Sequence, residues 1–382
     1  MAGTGVIAFD EATMAATIGT VTGTAAAAMT NTRFGVIDCD IHNVVPSTPT
    51  LFPYLSDHWR EHMTKTLFRG VNDSSYPTRA PVTARPGSAP DDGRPAGSDL
   101  TLLRSQILDP LEVEFGILCC TYAIDSLHNP DAAVALARAV NDWQVAEWLD
   151  KEPRLRASIV VPSQIPQLAA SEIDRVGGHP GFVQVLLPAR SQHPYGSRLY
   201  HPLWEAIARH NLVGGIHFGG APGNPPTPSG WPSYYLEEYA GMAQVFQSQL
   251  TSIISEGVFD LCPALRVTFL ESGFTWLPSF MWRFDKEWKN LRRLVPWVKQ
   301  APSEYIREHV RMTIQPLDAP AHARQLLQIV DQIGCDELLL YASDYPHLHD
   351  ADPEQRLLAE LPPALAQKIR TENARAWYRL PH

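Results

Sequence analysis

Short apolar segments rich in β-branched residues alternate along the chain with longer segments in which apolar residues recur at helical spacing. This alternation is typical of a parallel α/β fold, in which helices cover the strands. The predicted strands lie at residues 36–42, 116–121, 156–162, 182–188, 212–218, 266–271, 310–315 and 337–343. Eight strands separated by helices predict a (β/α)8 TIM barrel with loop insertions, and a doubly wound open sheet is the alternative.

Three segments between the strands have a distinct character. Residues 131–149 carry apolar residues at helical spacing after a proline, which predicts a helix packed outside the barrel. Segment 71–99 is dense in Pro, Gly, Asp and Ser, and segment 219–234 is similar but ends in aromatic residues. Both loops follow strands at the end where barrels hold their active sites, so each is either a lid or a solvated insertion.

The N-terminal 33 residues differ in composition from the rest of the 382-residue chain. They are rich in Ala, Thr and Gly, and no Lys or Arg precedes Arg33, so the basic region of a signal or transit peptide is absent. We therefore expect a mobile arm at 1–33 and a single barrel domain at 34–382.

Charge and cysteine content narrow the expected partners and location. The net charge of -10 argues against a nucleic-acid or anionic-membrane partner, and no apolar run reaches the length of a membrane span. The expected partner is a small molecule. The five cysteines are odd in number and most lie in apolar runs, which indicates reduced thiols and a cytoplasmic protein.

Four chemically active side chains fall at the ends of predicted strands. Asp40 and His42 end the first strand two residues apart, on the same face. His217 ends the fifth strand between small residues, and Asp344 follows the eighth. The first and eighth strands are neighbours in a closed barrel, so these residues can converge. Two imidazoles and two carboxylates suit one borderline divalent ion, Zn²⁺ or Mn²⁺.

These motifs resemble those of the amidohydrolase-related proteins of the decarboxylase branch, which includes aminocarboxymuconate-semialdehyde, γ-resorcylate and 5-carboxyvanillate decarboxylases. The family's first strand usually ends in Ile-Asp-x-His-x-His, and this chain has the same frame with Asp40 in place of the first His. The strand-5 histidine matches His217, and the strand-8 Ser-Asp-Tyr-Pro motif matches residues 343–346. The resemblance covers residues 34–378.

Two departures from the family pattern affect the expected chemistry. Many members have His-Gly-Gly after strand 6, where this chain has Glu271-Ser272-Gly273. Glu271 either takes over proton transfer, if burial raises its pKa, or is a structural carboxylate. His347, three residues after Asp344, is either a substrate contact or a loop anchor. Strand 4 contains no Lys for a carbamate bridge, so a single ion is expected, with Zn²⁺ favoured and Mn²⁺ the alternative.

The aromatic segment 276–297 follows strand 6 and also has two interpretations. Trp276 and Arg283 could line the substrate pocket, where an Arg would bind a substrate carboxylate. Alternatively, the segment packs in the core or between subunits. Members of the resembled family often form dimers, so the resemblance implies a homodimer or a higher homo-oligomer.

The resemblance implies a metal-dependent decarboxylase, a carbon–carbon lyase, that acts on a small carboxylated cyclic or aromatic substrate. Asp344, Glu271 and His347 are its expected catalytic residues. A metal-dependent hydrolase of an amide, ester or lactone needs nearly the same residues and is the alternative. A barrel that binds a ligand without turnover is the second alternative.

Overall fold

The computed structural model describes residues 35–68, 70–71, 83–220, 227, 229–320, 322–349, 352 and 356–382. The predicted arm at 1–33 lies outside these residues, as do parts of the two predicted loops. Within the described part of the chain, no helix is both long and apolar enough to cross a membrane.

Eight parallel strands form one sheet in which each strand pairs with the next along the chain. The strands are β1 (Ile37–Ile41), β2 (Phe115–Leu118), β3 (Leu155–Val160), β4 (Phe182–Arg190), β5 (Val213–Gly220), β6 (Arg266–Leu270), β7 (Val310–Thr313) and β8 (Leu339–Leu340). The sheet closes because Cys39 N donates to Tyr341 O at 2.9 Å and Asp344 N donates to Asp40 O at 3.1 Å. The predicted (β/α)8 barrel is therefore confirmed, and the open sheet is wrong.

Helices between the strands cover the outside of the barrel. They are α1 (Asp57–Lys65), α2 (Leu100–Leu103), α3 (Pro130–Gln144), α4 (Pro166–Val176), α5 (His201–Arg209), α6 (Tyr235–Ser255), α7 (Val258–Leu261), α8 (Leu277–Leu291), α9 (Pro302–His309), α10 (Ala323–Ile333), α11 (Pro363–Gln367) and α12 (Asn373–Tyr378). Helix α3 confirms the predicted helix at 131–149, because it continues through a wider π-helical turn at Val145–Leu149. Asn129 caps it by accepting from the backbone N–H groups of residues 131 and 132.

The C-terminal helix α12 closes the N-terminal end of the barrel. Trp377 and Tyr378 lie in one buried cluster with barrel residues such as Ile37. Trp377 Nε1 donates to Thr268 Oγ1 at 2.9 Å, and Tyr378 Oη donates to Gln184 Oε1 at 2.8 Å. With this end filled by side chains, the opposite end is left for a site.

The described part of the predicted 71–99 loop, residues 83–99, joins the segment after β8. Arg85 N donates to Pro346 O at 2.8 Å, and Ala84 forms an antiparallel bridge with His347. This pairing fixes the loop beside the mouth of the barrel. The second predicted loop begins in β5, which extends to Gly220, and ends where α6 begins at Tyr235.

Candidate metal centre

Strand β1 brings Asp40 and His42 to the C-terminal mouth of the barrel. Its register with β2 shifts between Asp38 and Ile41, and such an irregularity redirects the side chains beside it. Asp38 connects β1 to the segment after β8, because its Oδ1 accepts a hydrogen bond from Ser343 N at 2.9 Å. Asp40 is fully buried and His42 is 4% exposed.

The other groups come from β5 and from the residues that follow β6 and β8. His217 Nδ1 donates to Phe218 O at 2.8 Å, which directs Nε2 into the site as the nitrogen that is free to accept or to bind an ion. Glu271 and Asp344 both have positive φ, 57° and 54°. This conformation is rare for residues other than glycine and is often found at functional sites.

The structure brings six side chains together at this mouth. His42 Nε2 lies 3.0 Å from Asp344 Oδ1 and 3.5 Å from Glu271 Oε1. His217 Nε2 lies 3.5 Å from Asp40 Oδ2 and 3.9 Å from Glu271 Oε1. Two overlapping groups have potential ligand atoms within 4.8 Å of one another: Asp40, His42, His217 and Glu271, and His42, Glu271, Asp344 and His347.

Among the described residues, three buried atoms at this mouth have no hydrogen-bond partner. They are both carboxylate oxygens of Asp40 and Nε2 of His217. Buried polar atoms are nearly always paired, and an unpaired buried carboxylate is costly. Carboxylate oxygens and an imidazole nitrogen around one space are the donor types that a divalent ion takes. The residues therefore fit a metal ion.

Burial and charge act in opposite directions on the imidazoles and carboxylates of the site. Burial disfavours the imidazolium form of His217, but the charges of Glu271 and Asp40 outweigh it and raise the pKa of His217 to about 10. Burial and Asp344 raise the pKa of Glu271, but His217, His347 and His42 outweigh them and the net pKa is lowered. This direction favours the carboxylate form of Glu271, and its catalytic role stays a prediction.

The segment after β8 adds two histidines to Asp344. His347 Nδ1 lies 2.8 Å from Asp344 Oδ1, and His349 Nε2 lies 2.6 Å from Asp344 Oδ2. Burial by itself would raise the pKa of Asp344. Hydrogen bonds from His347, His349 and His42 outweigh burial and hold this pKa well below its ordinary value. His347 was predicted to reach this mouth. His349 was not, although its spacing of two residues from His347 was a visible signal.

These groups line a cavity of about 720 Å³, which we call the main cavity. Its lining includes the five clustered side chains other than Asp40, and also His349. Phe218 and Tyr239, whose ring centroids are 5.1 Å apart, contribute an aromatic wall. Small-molecule sites typically have about 300–1,000 Å³ and mostly apolar walls with a few polar groups. The main cavity fits that description.

Trp276 and Arg283 are not among the residues that line the main cavity. Trp276 Nε1 donates to Ser272 O at 3.0 Å, and the Trp276 ring packs against Phe280 in an edge contact. Arg283 is exposed on α8. Of the predicted site residues, the structure thus gathers Asp40, His42, His217, Glu271, Asp344 and His347, and it leaves these two apart.

Comparison with known proteins identifies the family of this chain. The model of the amidohydrolase family matches residues 37–380. A γ-resorcylate decarboxylase of Polaromonas sp. strain JS666 is 27% identical over 270 residues, which are 65% of this chain and 77% of that protein. A γ-resorcylate decarboxylase of Rhizobium radiobacter is 26% identical over 263 residues, again 65% of this chain and 77% of that protein.

Solved structures share the fold. The 5-carboxyvanillate decarboxylase of Sphingomonas paucimobilis has a TM-score of 0.69 at 22% identity, covering 91% of this chain and 99% of that one. A dihydroxybenzoic acid decarboxylase of Polaromonas sp. JS666, with bound manganese and the inhibitor 2-nitroresorcinol, has a TM-score of 0.62 at 23% identity, covering 91% and 97%. The chain belongs to the amidohydrolase family and is an enzyme of this superfamily, for which decarboxylation and hydrolysis both fit.

Proposed function

We propose that this enzyme is a metal-dependent decarboxylase, a carbon–carbon lyase, of small aromatic carboxylates. The observation that carries the proposal is the cluster at the barrel mouth, where Asp40 and His217 present buried unpaired atoms to one space. The main cavity beside the cluster has room for one aromatic ring and its substituents. The γ-resorcylate decarboxylases among its relatives support this substrate class.

Asp40, His42, His217 and Asp344 would hold one divalent ion, with Glu271 as a neighbouring carboxylate. Zn²⁺ is the ion favoured from the sequence, but the comparisons give it no support, and two of the related structures carry bound manganese. We propose Mn²⁺, because Asp40 supplies oxygen where a second imidazole is usual and oxygen donors suit Mn²⁺. When bound, the ion would supply positive charge that holds the substrate's carboxylate and an adjacent hydroxyl oxygen.

In the proposed reaction, the bond between the ring carbon and the carboxylate breaks, and its electron pair stays on the ring carbon. CO₂ leaves and the ring carbon takes one proton. Phe218 and Tyr239 would hold the ring and exclude water from the main cavity. No co-reactant other than the proton is needed.

His347 is the group best placed to hold that proton. Burial disfavours its imidazolium form, but the hydrogen bonds to Asp344 and Glu271 raise the pKa of His347 to about 11. Its Nδ1 lies 3.7 Å from Glu271 Oε1 and its side chain lines the main cavity. We assign His347 the role of proton donor, with Glu271 and Asp344 stabilising its charged form.

Product analysis tests the reaction. Enzyme loaded with Mn²⁺ is incubated with 2,6-dihydroxybenzoate or 5-carboxyvanillate in H₂¹⁸O and, separately, in D₂O. A decarboxylase releases CO₂, puts one deuterium on the vacated ring carbon and puts no ¹⁸O in the aromatic product. Release of an ¹⁸O-labelled product from an amide, ester or lactone substrate instead would establish the hydrolase.

Metal analysis tests the site independently of turnover. We expect about one Mn²⁺ per wild-type chain and a large loss in His217→Ala, because the variant lacks one of the proposed ligands. His62→Ala is the matched control, since His62 is an exposed histidine on α1. Equal ion content in all three proteins would show that the proposed site is wrong. Well under one ion per wild-type chain would instead favour a barrel that binds a ligand without turnover.

We also propose that the enzyme is a cytoplasmic homodimer or higher homo-oligomer. All five cysteines are free, and four of them are buried, which suits a reducing compartment. Trp282, Leu291 and Leu294 on and after α8 are 57%, 57% and 75% exposed, and such apolar side chains favour a subunit contact. Light scattering of the purified protein measures the subunit number.

A further inference from the structure

A small recess opens from the main cavity on the side of β2 to β5. We call it the inner recess and define it by residues 120–125, Val160, Leu186, His217 and Phe218 among its lining. It shares Thr121, His217 and Phe218 with the main cavity. Its volume is about 40 Å³, and roughly 10–15 Å³ suffices for one water, so the recess accommodates a ring substituent and not a second ring.

The inner recess is mostly apolar, and Asp125 is the only carboxylate among its described lining residues. Asp125 Oδ2 is buried and has no hydrogen-bond partner in the part of the chain that the structure describes. Native proteins pair nearly all buried polar atoms, and an unpaired carboxylate oxygen beside an apolar space is costly. An atom of this kind facing a cavity indicates a missing hydrogen-bond donor.

The charged side chain that acts on Asp125, that of Arg190, forms an ion pair with another carboxylate. Arg190 lies at the end of β4, and its Nη1 lies 2.7 Å from Glu238 Oε1 in a buried ion pair. Two carboxylates therefore share the field of one guanidinium. Burial still raises the pKa of Asp125 to about 6, although its own backbone N–H and the charge of Arg190 oppose the rise.

The loop that carries Asp125 is fixed before any ligand arrives. Asp125 lies in a 3₁₀ turn, Ile124–Ser126. Gln164 Nε2, in the loop after β3, donates to Ile124 O and to Leu127 O at 3.0 Å each. These two hydrogen bonds hold the backbone on both sides of Asp125. The position of Asp125 relative to His217 is therefore preorganised.

We propose that Asp125 is a specificity residue that accepts a hydrogen bond from a hydroxyl or amino substituent of the aromatic substrate that enters the inner recess beside His217. The preferred substrates are then aromatic carboxylates that carry a hydrogen-bond donor on the ring edge facing the inner recess. A site built to bind a donor rejects the analogue that lacks it, because the buried acceptor is left unpaired. This inference rests on the proposed function, since it assumes an aromatic carboxylate in the main cavity.

Binding of matched ligands to Mn²⁺-loaded protein tests the inference without turnover. The probes are 2-hydroxybenzoate, 2,4-dihydroxybenzoate, 2,5-dihydroxybenzoate, 4-amino-2-hydroxybenzoate and the donor-capped 2-hydroxy-4-methoxybenzoate, each measured by calorimetry. We expect wild type to bind at least one donor-bearing ligand about tenfold more tightly than its donor-free or capped counterpart. Asp125→Ala should lose this preference and Asp125→Asn should keep part of it.

Asp131→Asn is the matched control, because Asp131 is an exposed acid six residues further along the chain and the substitution removes the same charge. It should keep the wild-type preference. If wild type shows no donor preference, or if Asp125→Ala keeps it, the assignment of Asp125 is overturned while the proposed function stands. If no aromatic carboxylate binds to wild type, the proposed function fails and this inference fails with it.

Discussion

At the scale of single residues, the C-terminal end of this barrel contains buried carboxylate oxygens without a hydrogen-bond donor among the described residues. Asp40 has two such oxygens and Asp125 has one, and all three are buried. They face different spaces, Asp40 the ion cluster and Asp125 the inner recess. Each costs folding free energy that a ligand would offset, so stability measurements report on the sites without an activity assay.

Asp125→Asn should change stability in a pH-dependent way. The pKa of Asp125 is raised by burial from 3.8 to about 6 in the folded protein. The folded state therefore holds the proton more tightly than the unfolded state, and stability falls as pH rises from about 4 to about 6. Above that range the ionised group costs up to roughly 3 kcal/mol, from about two pKa units.

The variant lacks this titration, so it should gain stability relative to wild type at pH 8 and lose most of that gain near pH 4. Urea unfolding at both pH values measures the difference. Asp131→Asn should show little change at either pH, since its side chain is exposed. An Asp125→Asn variant with the same difference at both pH values would contradict the assigned burial.

His349 acts on the metal centre through Asp344 and is a positioning residue. Its Nε2 lies 2.6 Å from Asp344 Oδ2, while Oδ1 meets His347 and His42. Groups that orient a metal ligand typically change metal affinity about 10–100-fold when removed. We expect His349→Ala to weaken Mn²⁺ binding by about tenfold and His349→Gln to restore part of it through its amide donor.

Competition with a fluorescent metal indicator measures these affinities. His62→Ala controls for the loss of an imidazole elsewhere on the chain. Unchanged affinity in His349→Ala would mean that His349 does not position Asp344. Equal loss in the Ala and Gln variants would mean that the side chain acts by packing and not by its hydrogen bond.

At the scale of elements, the sequence predicted the strands because each apolar run turns polar at its C-terminal end. That pattern placed Asp40, His217 and Asp344 correctly at one mouth. The inner recess could not be predicted in this way, because Asp125 lies in an irregular loop whose path depends on Gln164 from another loop. Contacts between loops have no periodicity in the sequence.

Backbone conformation and helix orientation were also beyond prediction. Glu271 and Asp344 have positive φ. Tertiary contacts impose this conformation, so it cannot be recognised from the amino-acid composition. Trp276 and Arg283 were expected at the pocket because their segment follows a barrel strand. Neither residue lines the main cavity. Arg283 is exposed on α8, and the indole of Trp276 donates to the backbone oxygen of Ser272.

The C-terminal helix α12 should support stability without touching the metal centre. Trp377 is 6% exposed, and the guanidinium of Arg311 lies 4.2 Å from the centre of its ring. Truncation of a buried tryptophan typically costs about 3–5 kcal/mol. We expect Trp377→Ala to lose about that much free energy of unfolding, measured by urea titration, with unchanged Mn²⁺ affinity in the folded protein.

Leu236→Ala is the control, because Leu236 is a large apolar side chain that is 77% exposed on α6. It should lose less than about 0.5 kcal/mol in the monomer. Similar losses in the two variants would contradict the role of α12 as the closure of the barrel. Reduced Mn²⁺ affinity in Trp377→Ala would show instead that the two ends of the barrel are coupled.

At the scale of the whole molecule, the barrel separates structural support from chemistry. One end is filled by α12 and by side chains such as Tyr378, which is 5% exposed. The other end gathers carboxylate and imidazole groups with potential ligand atoms close together, and among the described residues both oxygens of Asp40 and Nε2 of His217 stay unpaired. Filling the metal centre should therefore stabilise the entire fold and not only the loops around it.

Thermal unfolding with and without Mn²⁺ tests this linkage. An ion that binds only the folded state at 100 times its Kd stabilises it by about 2.7 kcal/mol, so the Tm of wild type and His62→Ala should rise. His217→Ala should show little rise. The gain should increase from pH 6 to pH 8, because the pKa of His217 is raised to about 10 and its proton must leave before Nε2 can bind the ion. An equal rise in wild type and His217→Ala, or a rise that does not depend on pH, would place the ion elsewhere on the protein.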